Sequence, residues 1–276
     1  MRIKKLKKYL IGILIITACS TGINIFSDSD EISMGKQFDQ EIRNNAKEYP
    51  IYKGDPNVRE YIDKNIFQEV LKSPEIKKSA VYPYKMEIIQ NDTMLNAFAV
   101  PGGYVYIYTG ILKYLDSEAA LAGVIGHEIA HVERRHATQR ITKAYGIQII
   151  LSIALGNNPS QVAEIVANLF GGLALLANSR ANEDESDDYS IKYLQSTRFY
   201  PGSVKFFFEK LRDDGKVSKG GQGIATFLST HPDPIARINS TDQRLTALSI
   251  PVKSYKDSGQ GIFKEEYQKF IKNKLK

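Results

Sequence analysis

The chain has 276 residues, 42% of them hydrophobic and 25% charged, with a single cysteine. This length suffices for one domain with a large core, and a lone cysteine excludes an intramolecular disulfide. The formal charge is +6, but five basic residues fall in the first eight positions, so the remainder is close to neutral and gives no support for nucleic-acid binding.

Residues 1–18 predict a processing signal. Arg2, Lys4, Lys5, Lys7 and Lys8 precede an apolar run from Leu10 to Thr17, far short of the roughly 20 residues a membrane-spanning helix needs. Ile16-Thr17-Ala18-Cys19 resembles a bacterial lipobox, which makes 1–18 a lipoprotein signal peptide and Cys19 the lipidated anchor. Residues 19–33 contain Ser27-Asp28-Ser29-Asp30 and no apolar period, so they predict a flexible tether. The implied address is the bacterial envelope: the outer membrane facing the periplasm in a cell with two membranes, otherwise the outer face of the cell membrane.

The expected folded body covers residues 34–250. Asp55-Pro56 followed by Val58, Tyr61, Ile62, Ile66 and Val70 gives a cap, a first-turn proline and a helical stripe. Tyr82 to Asn91 and Tyr104 to Thr109 read as strands, and Pro101-Gly102-Gly103 marks a tight turn after Asn96 to Val100, predicting a small antiparallel sheet. Alternation puts Tyr104, Tyr106 and Tyr108 on one face and Val105 and Ile107 on the other. A strand at Asn96, Ala97, Phe98 and Ala99 could take an extended peptide through main-chain hydrogen bonds, while burial in its own sheet explains the same pattern.

Asp116 or Ser117 caps the next predicted helix, whose stripe is Leu121, Val124, Ile125, Ile129 and Val132. It carries His127-Glu128-Ile129-Ala130-His131. Two histidines four apart on a helix differ by about 40° around the axis and roughly 6 Å along it, which suits chelation of one zinc ion, with Glu128 offset as general base. His136, nine residues beyond His127, would point away on a continuous helix and reads as structural. Residues 146–155 and 162–177 predict an apolar helical pair near the site, each half too short to cross a bilayer, with a membrane hairpin as the competing reading.

A catalytic zinc takes three protein ligands, so the pair of histidines needs a partner. Glu183, on a predicted helix from Ser179 to Leu194, is the candidate, and Asp187 one turn on could accept the free ring N–H of a ligand histidine. Asp184 and Glu185 read as a solvated face. Arg180 and Arg237 stay open between orienting carboxylates and simple ion pairs. Ser203 to Leu211 predicts a helix with Phe206-Phe207-Phe208 in the core, and Asp213 to Gly223 a glycine-rich loop. Pro232 and Pro234 stop the chain before the helix with Arg237, and 251–276 reads as a lysine-rich, solvated tail.

Four segments now combine: Asn96 through Gly103, the His127–His131 motif, Ser179-Arg180 with Glu183 and Asp187, and Thr230-His231-Pro232. Over Met34 to Leu248 they resemble the membrane-associated zinc metallopeptidase family of HtpX, the CAAX prenyl protease, BepA and LoiP, and the lipoprotein signal looks most like the LoiP branch. The resemblance implies an α+β, mainly helical, zincin-like (gluzincin) domain with a small β-sheet beside the motif helix. It makes Glu183 the third ligand of one zinc ion, Asp187 its supporting acid, and His231 either a transition-state donor or a latency ligand. It implies a metalloendopeptidase acting on unfolded or misfolded envelope proteins in quality control. A chaperone-like assembly factor with a structural zinc site and a narrow-specificity aminopeptidase are the competing functions; regulatory envelope partners stay open.

Overall fold

The computed structural model describes residues 24–154, 178–219 and 222–275. Cys19 and the signal segment therefore lie outside the described residues, as does the second half of the predicted apolar pair. Among the described residues no helix is long and apolar enough to cross a membrane.

Helix α1, Asp28–Asn44, starts inside the expected tether. The Ser/Asp run that reads as polar linker is a capping box: the Ser27 hydroxyl accepts from the Asp30 backbone N–H, and the Asp30 carboxylate accepts from the Ser27 backbone N–H. Phe26, Met34, Phe38 and Ile42 are buried, and the Asn24 amide donates to the Thr138 hydroxyl at 2.7 Å. Order thus begins by Asn24, and the flexible-tether expectation does not hold for 24–33. Helix α2, Pro56–Ile62, is capped by Asp55 as expected and continues through a π turn, Asp63–Phe67, to Leu71.

The sheet comprises β1 (Lys85–Ile89), β2 (Ala97–Val100) and β3 (Tyr104–Tyr108) in the order β1-β3-β2. β2 and β3 pair antiparallel, but β1 and β3 are parallel, so the sheet is mixed and not antiparallel throughout. After β1 the chain crosses to the far edge for β2, then returns through Gly102 and Gly103, both at positive φ, to fill the gap. Val105 and Ile107 join the main core, while Tyr104, Tyr106 and Tyr108 pack under α1 with Phe38 and Ile42. The predicted alternation is thus resolved into two cores separated by the sheet.

Short helix α3, Thr109–Tyr114, leads to the central α4, Glu118–Glu133, capped by the Ser117 hydroxyl accepting from the Ala120 N–H. Every residue from Glu118 to Val132 is buried, so α4 is enclosed on all sides and not striped. Helix α5 runs His136–Ala154, which places the backbone of residues 146–154 of the first predicted apolar half in a helix. Helix α6, Arg180–Leu194, packs on α4 more extensively than any other described element does. A Cβ on Gly126 would lie 2.8 Å from Ser190 Oγ, and the Ser190 hydroxyl donates to the Gly123 carbonyl at 3.0 Å. Small residues on α4 therefore set the close approach of α6.

Pro201–Lys205 and α7, Phe206–Asp213, follow. The expected glycine-rich loop instead holds a short turn of helix and the start of α8, Gln222–Thr230. Helix α9 is Pro234–Ala247. The C-terminal segment is not a solvated tail: Ile262, Tyr267, Ile271 and Leu275 enter the main core, and the Tyr267 hydroxyl donates to the Leu112 carbonyl at 2.7 Å. Carbonyls of Phe263 and Ile262 accept from the Glu118 and Ala119 N–H groups, satisfying donors that the start of α4 leaves free. Tyr267, Ile271 and Leu275 recur every fourth residue, and that stripe outweighs the lysines between them.

Candidate metal centre

Helix α4 supplies His127, Glu128 and His131; α6 supplies Glu183 and Asp187; the α8–α9 junction supplies His231. Ligand atoms of His127, His131, Glu183 and His231 all lie within 4.8 Å of one another, and all four residues are buried. His127 Nε2 is 2.9 Å from His131 Nε2 and 3.4 Å from Glu183 Oε2, and His131 Nε2 is 3.3 Å from Glu183 Oε1. Ligand atoms about 2.0–2.1 Å from one tetrahedral ion stand roughly 3.3 Å apart, so these edges fit a zinc-sized centre. The His231 ring stacks on Phe227, with Nδ1 3.0 Å from Glu183 Oε2 and Nε2 3.8 Å from Glu128 Oε1.

Asp187 lies one turn beyond Glu183 on α6 and is fully buried. Its Oδ1 is 2.9 Å from His127 Nδ1, leaving His127 Nε2 turned toward the cluster. Arg237 on α9 completes the arrangement: its Nε and Nη2 donate to the two Asp187 oxygens at 2.7 and 2.6 Å, and its Nη1 donates to Glu183 Oε2 at 2.7 Å. Arg237 Nη2 also stands 3.1 Å from His127 Nδ1, but the ionised Asp187 carboxylate is the one acceptor facing that nitrogen among the described residues, so the His127 Nδ1 proton goes to Asp187. Arg180, by contrast, is exposed and pairs with Asp233. The two arginines left open by the sequence thus divide, with Arg237 on the carboxylates of the centre and Arg180 in a surface ion pair.

Burial disfavours the charged forms of the carboxylates, but Arg237 outweighs it at Asp187, whose pKa falls to about 2. At Glu183 the neighbouring His231 and Arg237 likewise overcome burial and hold the carboxyl well below its ordinary range. Burial and the Arg237 charge also oppose charge on His127, yet its hydrogen bonds to the Asp187 and Glu183 carboxylates raise its pKa to about 9. His131 moves the other way, through burial and the nearby His127. Glu128 is pushed up by burial, and among the described residues its Oε1 is buried without a hydrogen-bond partner. A buried acceptor left unpaired is costly and calls for a donor, which a water at the centre would supply.

A cavity of 410 Å³, within the range of ligand sites, is lined by Glu128, His131 and His231 together with Asn96, Phe98 and Ala99. Among the described residues β2 is an edge strand, paired only with β3. Ala97 is fully buried, so its side chain belongs to the core. Among the described residues the Asn96 side-chain oxygen is buried without a partner.

Sequence reasoning missed His136 and Glu185. His136 Nδ1 is 2.8 Å from His131 Nδ1, and its Nε2 is 2.9 Å from Glu185 Oε2. The reading of His136 as pointing away assumed one continuous helix. In fact α4 stops at Glu133, and Arg135 takes a left-handed conformation (φ 60) that turns the chain back into α5. No glycine announces that break, so the sequence hides it.

Residues 59–245 match Peptidase family M48. The chain belongs to that family. It is 31% identical over 229 residues to the beta-barrel assembly-enhancing protease of Escherichia coli (strain K12), covering 79% of this chain and 44% of that protein. It is 31% identical over 169 residues to the mitochondrial metalloendopeptidase OMA1 of Schizosaccharomyces pombe, covering 60% of this chain and 48% of that one. The chain spans about half the length of these curated relatives. M48 membership agrees with the family resemblance carried by the four sequence segments, and with the mainly helical fold and small sheet.

Proposed function

We propose that this protein is a zinc-dependent metalloendopeptidase that cuts unfolded or misfolded proteins of the bacterial envelope, held at the membrane through lipidated Cys19. The observation that carries the proposal is the buried His127, His131 and Glu183 triad with the unpartnered Glu128 oxygen beside it. Those three residues would hold the ion, and zinc, when bound, would acidify water and polarise the scissile carbonyl.

The chain's own residues supply the rest. Glu128 takes the proton of the attacking water on its carboxylate and delivers it to the leaving amine. Asp187, itself held by Arg237, fixes the His127 ring through Nδ1. His231 stands beside Glu128 and Glu183, where it would either donate to the developing oxyanion or serve as a further ligand that holds the enzyme latent. The β2 edge, from Asn96 through Ala99, lies along the same cavity and suits an extended substrate added as a strand, which favours unfolded chains. The names of the relatives, an assembly-enhancing protease and a metalloendopeptidase, support the quality-control reading.

The deciding experiment is Glu128→Gln. Zinc content and thermal stability should match the wild type while cleavage of an unfolded test protein falls about 10²- to 10⁴-fold. Undiminished cleavage rejects the mechanism. Mass spectrometry of the wild-type products should find internal cuts; release of single N-terminal residues alone would make the enzyme an aminopeptidase.

A further inference from the structure

We infer that His136 is a positioning residue for His131: the chain His131–His136–Glu185 fixes the one ring tautomer that leaves His131 Nε2 bare for the metal. The inference rests on the zinc reading above. His131 Nε2 faces His127 and Glu183, while its other ring nitrogen faces His136 Nδ1 at 2.8 Å. Two facing imidazole nitrogens make a hydrogen bond only when one of them carries the proton.

If His131 Nε2 is the metal-facing atom, the His131 proton sits on Nδ1 and is donated to His136 Nδ1. The His136 proton then sits on Nε2 and is donated to Glu185 Oε2 at 2.9 Å. Arg134 Nε donates to the other Glu185 oxygen at 2.8 Å and holds that carboxylate in place. A single assignment of protons satisfies every member of the chain. The reverse assignment puts a proton on His131 Nε2, aimed at the other ligand atoms, and leaves His136 Nε2 without a hydrogen to give Glu185. Ser186 Oγ stands 3.4 Å from His136 Nδ1, at the limit of a hydrogen bond, and its rotatable hydroxyl does not compete with the shorter contact.

The backbone delivers this geometry at a conformational cost. Arg135 at φ 60 is a left-handed, non-glycine residue, and such a residue persists only where its surroundings hold it. Its guanidinium donates to Glu31 Oε1 at 2.7 Å and to the Phe26 carbonyl at 2.5 Å. Phe26 and the first turns of α1 thus pin the turn that brings His136, 1% exposed, against His131. The two ligand histidines are consequently oriented by unlike acceptors, an anionic carboxylate for His127 and a neutral imidazole for His131.

The test compares His136→Asn, whose side-chain oxygen can replace Nδ1 as an acceptor, with His136→Leu, which fills the space without one. Zinc affinity of the purified full chain is measured by competition with a chromogenic chelator, alongside thermal unfolding of the metal-free protein and cleavage of an unfolded test protein. His136→Leu should weaken zinc binding about 10- to 100-fold, and His136→Asn should recover most of the loss. Wild-type affinity in His136→Leu, or equal losses in both variants, overturns the inference. Should His136→Leu fail to fold, Glu185→Ala at the partly exposed end of the chain decides: weakened zinc binding supports the relay and unchanged binding rejects it. A wild-type protein that binds no zinc would instead overturn the proposed function on which the inference stands.

Discussion

A buried guanidinium is tolerable only when its hydrogens find acceptors, and Arg237, fully enclosed beside the centre, meets that condition with two carboxylates. Its planar fork matches Asp187 bidentately, and its guanidinium carbon lies over the Phe208 ring, 4.2 Å from the centroid. Arg237→Met keeps the packing but strands Asp187 and Glu183 without their cation. The metal-free protein should lose about 3–5 kcal/mol, the usual cost of breaking a buried pair from one side. With zinc present the loss should shrink, because the ion would stand beside Glu183 in place of the guanidinium. Denaturant unfolding with and without zinc checks this, and equal losses in both conditions would reject the account. At this scale His127, His131, Glu183 and Asp187, which the structure brings together, could be picked out because each sits at a helical spacing from another of the four. Arg237 stayed open and His136 and Glu185 were missed, because their partners come from other helices or across a turn, and local spacing carries no record of either.

Helices α4 and α6 explain how Glu183 comes to face His127 at all. The buried face of α6 begins polar, with Glu183, Ser186, Asp187 and Ser190, and ends apolar, with Ile191 and Leu194. One end of the helix therefore serves the centre and the other anchors it in the core. Gly126 sets the spacing, since a methyl there would meet Ser190 Oγ at 2.8 Å. Gly126→Ala should raise helix propensity by about 1 kcal/mol yet cost about 1–3 kcal/mol in overpacking, so the net effect is destabilising. It should also weaken zinc binding, because the helix it displaces carries Glu183. In a Ser190→Ala background the nearest side-chain atom is Cβ at 3.5 Å, an ordinary contact. There the same Gly126→Ala change should stabilise, and a double-mutant cycle by thermal unfolding would expose the change of sign. Same-signed effects in both backgrounds would remove Ser190 as the cause. The positions of these helices were legible in the sequence from caps and apolar periods. Strand direction was not, because β1 gains its parallel partner only when β3 returns between the two outer strands, an outcome of chain crossing that no local pattern records.

The two ends of the described chain close the molecule around α4, and both were underrated for the same reason. Composition near Ser27 and among the C-terminal lysines is polar, yet Phe26, Phe38, Tyr267 and Ile271 bury enough apolar surface to outweigh it. Asp116 sits where this closure is tied together electrostatically. It lies just before α4 and pairs with Lys210 on α7 at 2.9 Å and with Lys272 of the C-terminal segment at 3.0 Å. Burial opposes its charge, but hydrogen bonds and charge from the two lysines prevail and hold its pKa below the ordinary 3.8. A carboxyl whose pKa is lower in the folded than in the unfolded state contributes its full stability above the unfolded value. It loses that contribution as pH falls through the folded one. Each lysine pair is partly exposed, so screening limits it to about 1 kcal/mol or less. Urea unfolding of the wild type and Asp116→Asn should therefore differ most at neutral pH and converge as the pH drops below about 4. Every other acid-sensitive carboxylate is common to both proteins and cancels in the difference. A gap that stays constant from neutral pH down to pH 3 would mean that Asp116 acts through its shape and hydrogen bonds, and that its charge does not fasten the C-terminal segment to the core.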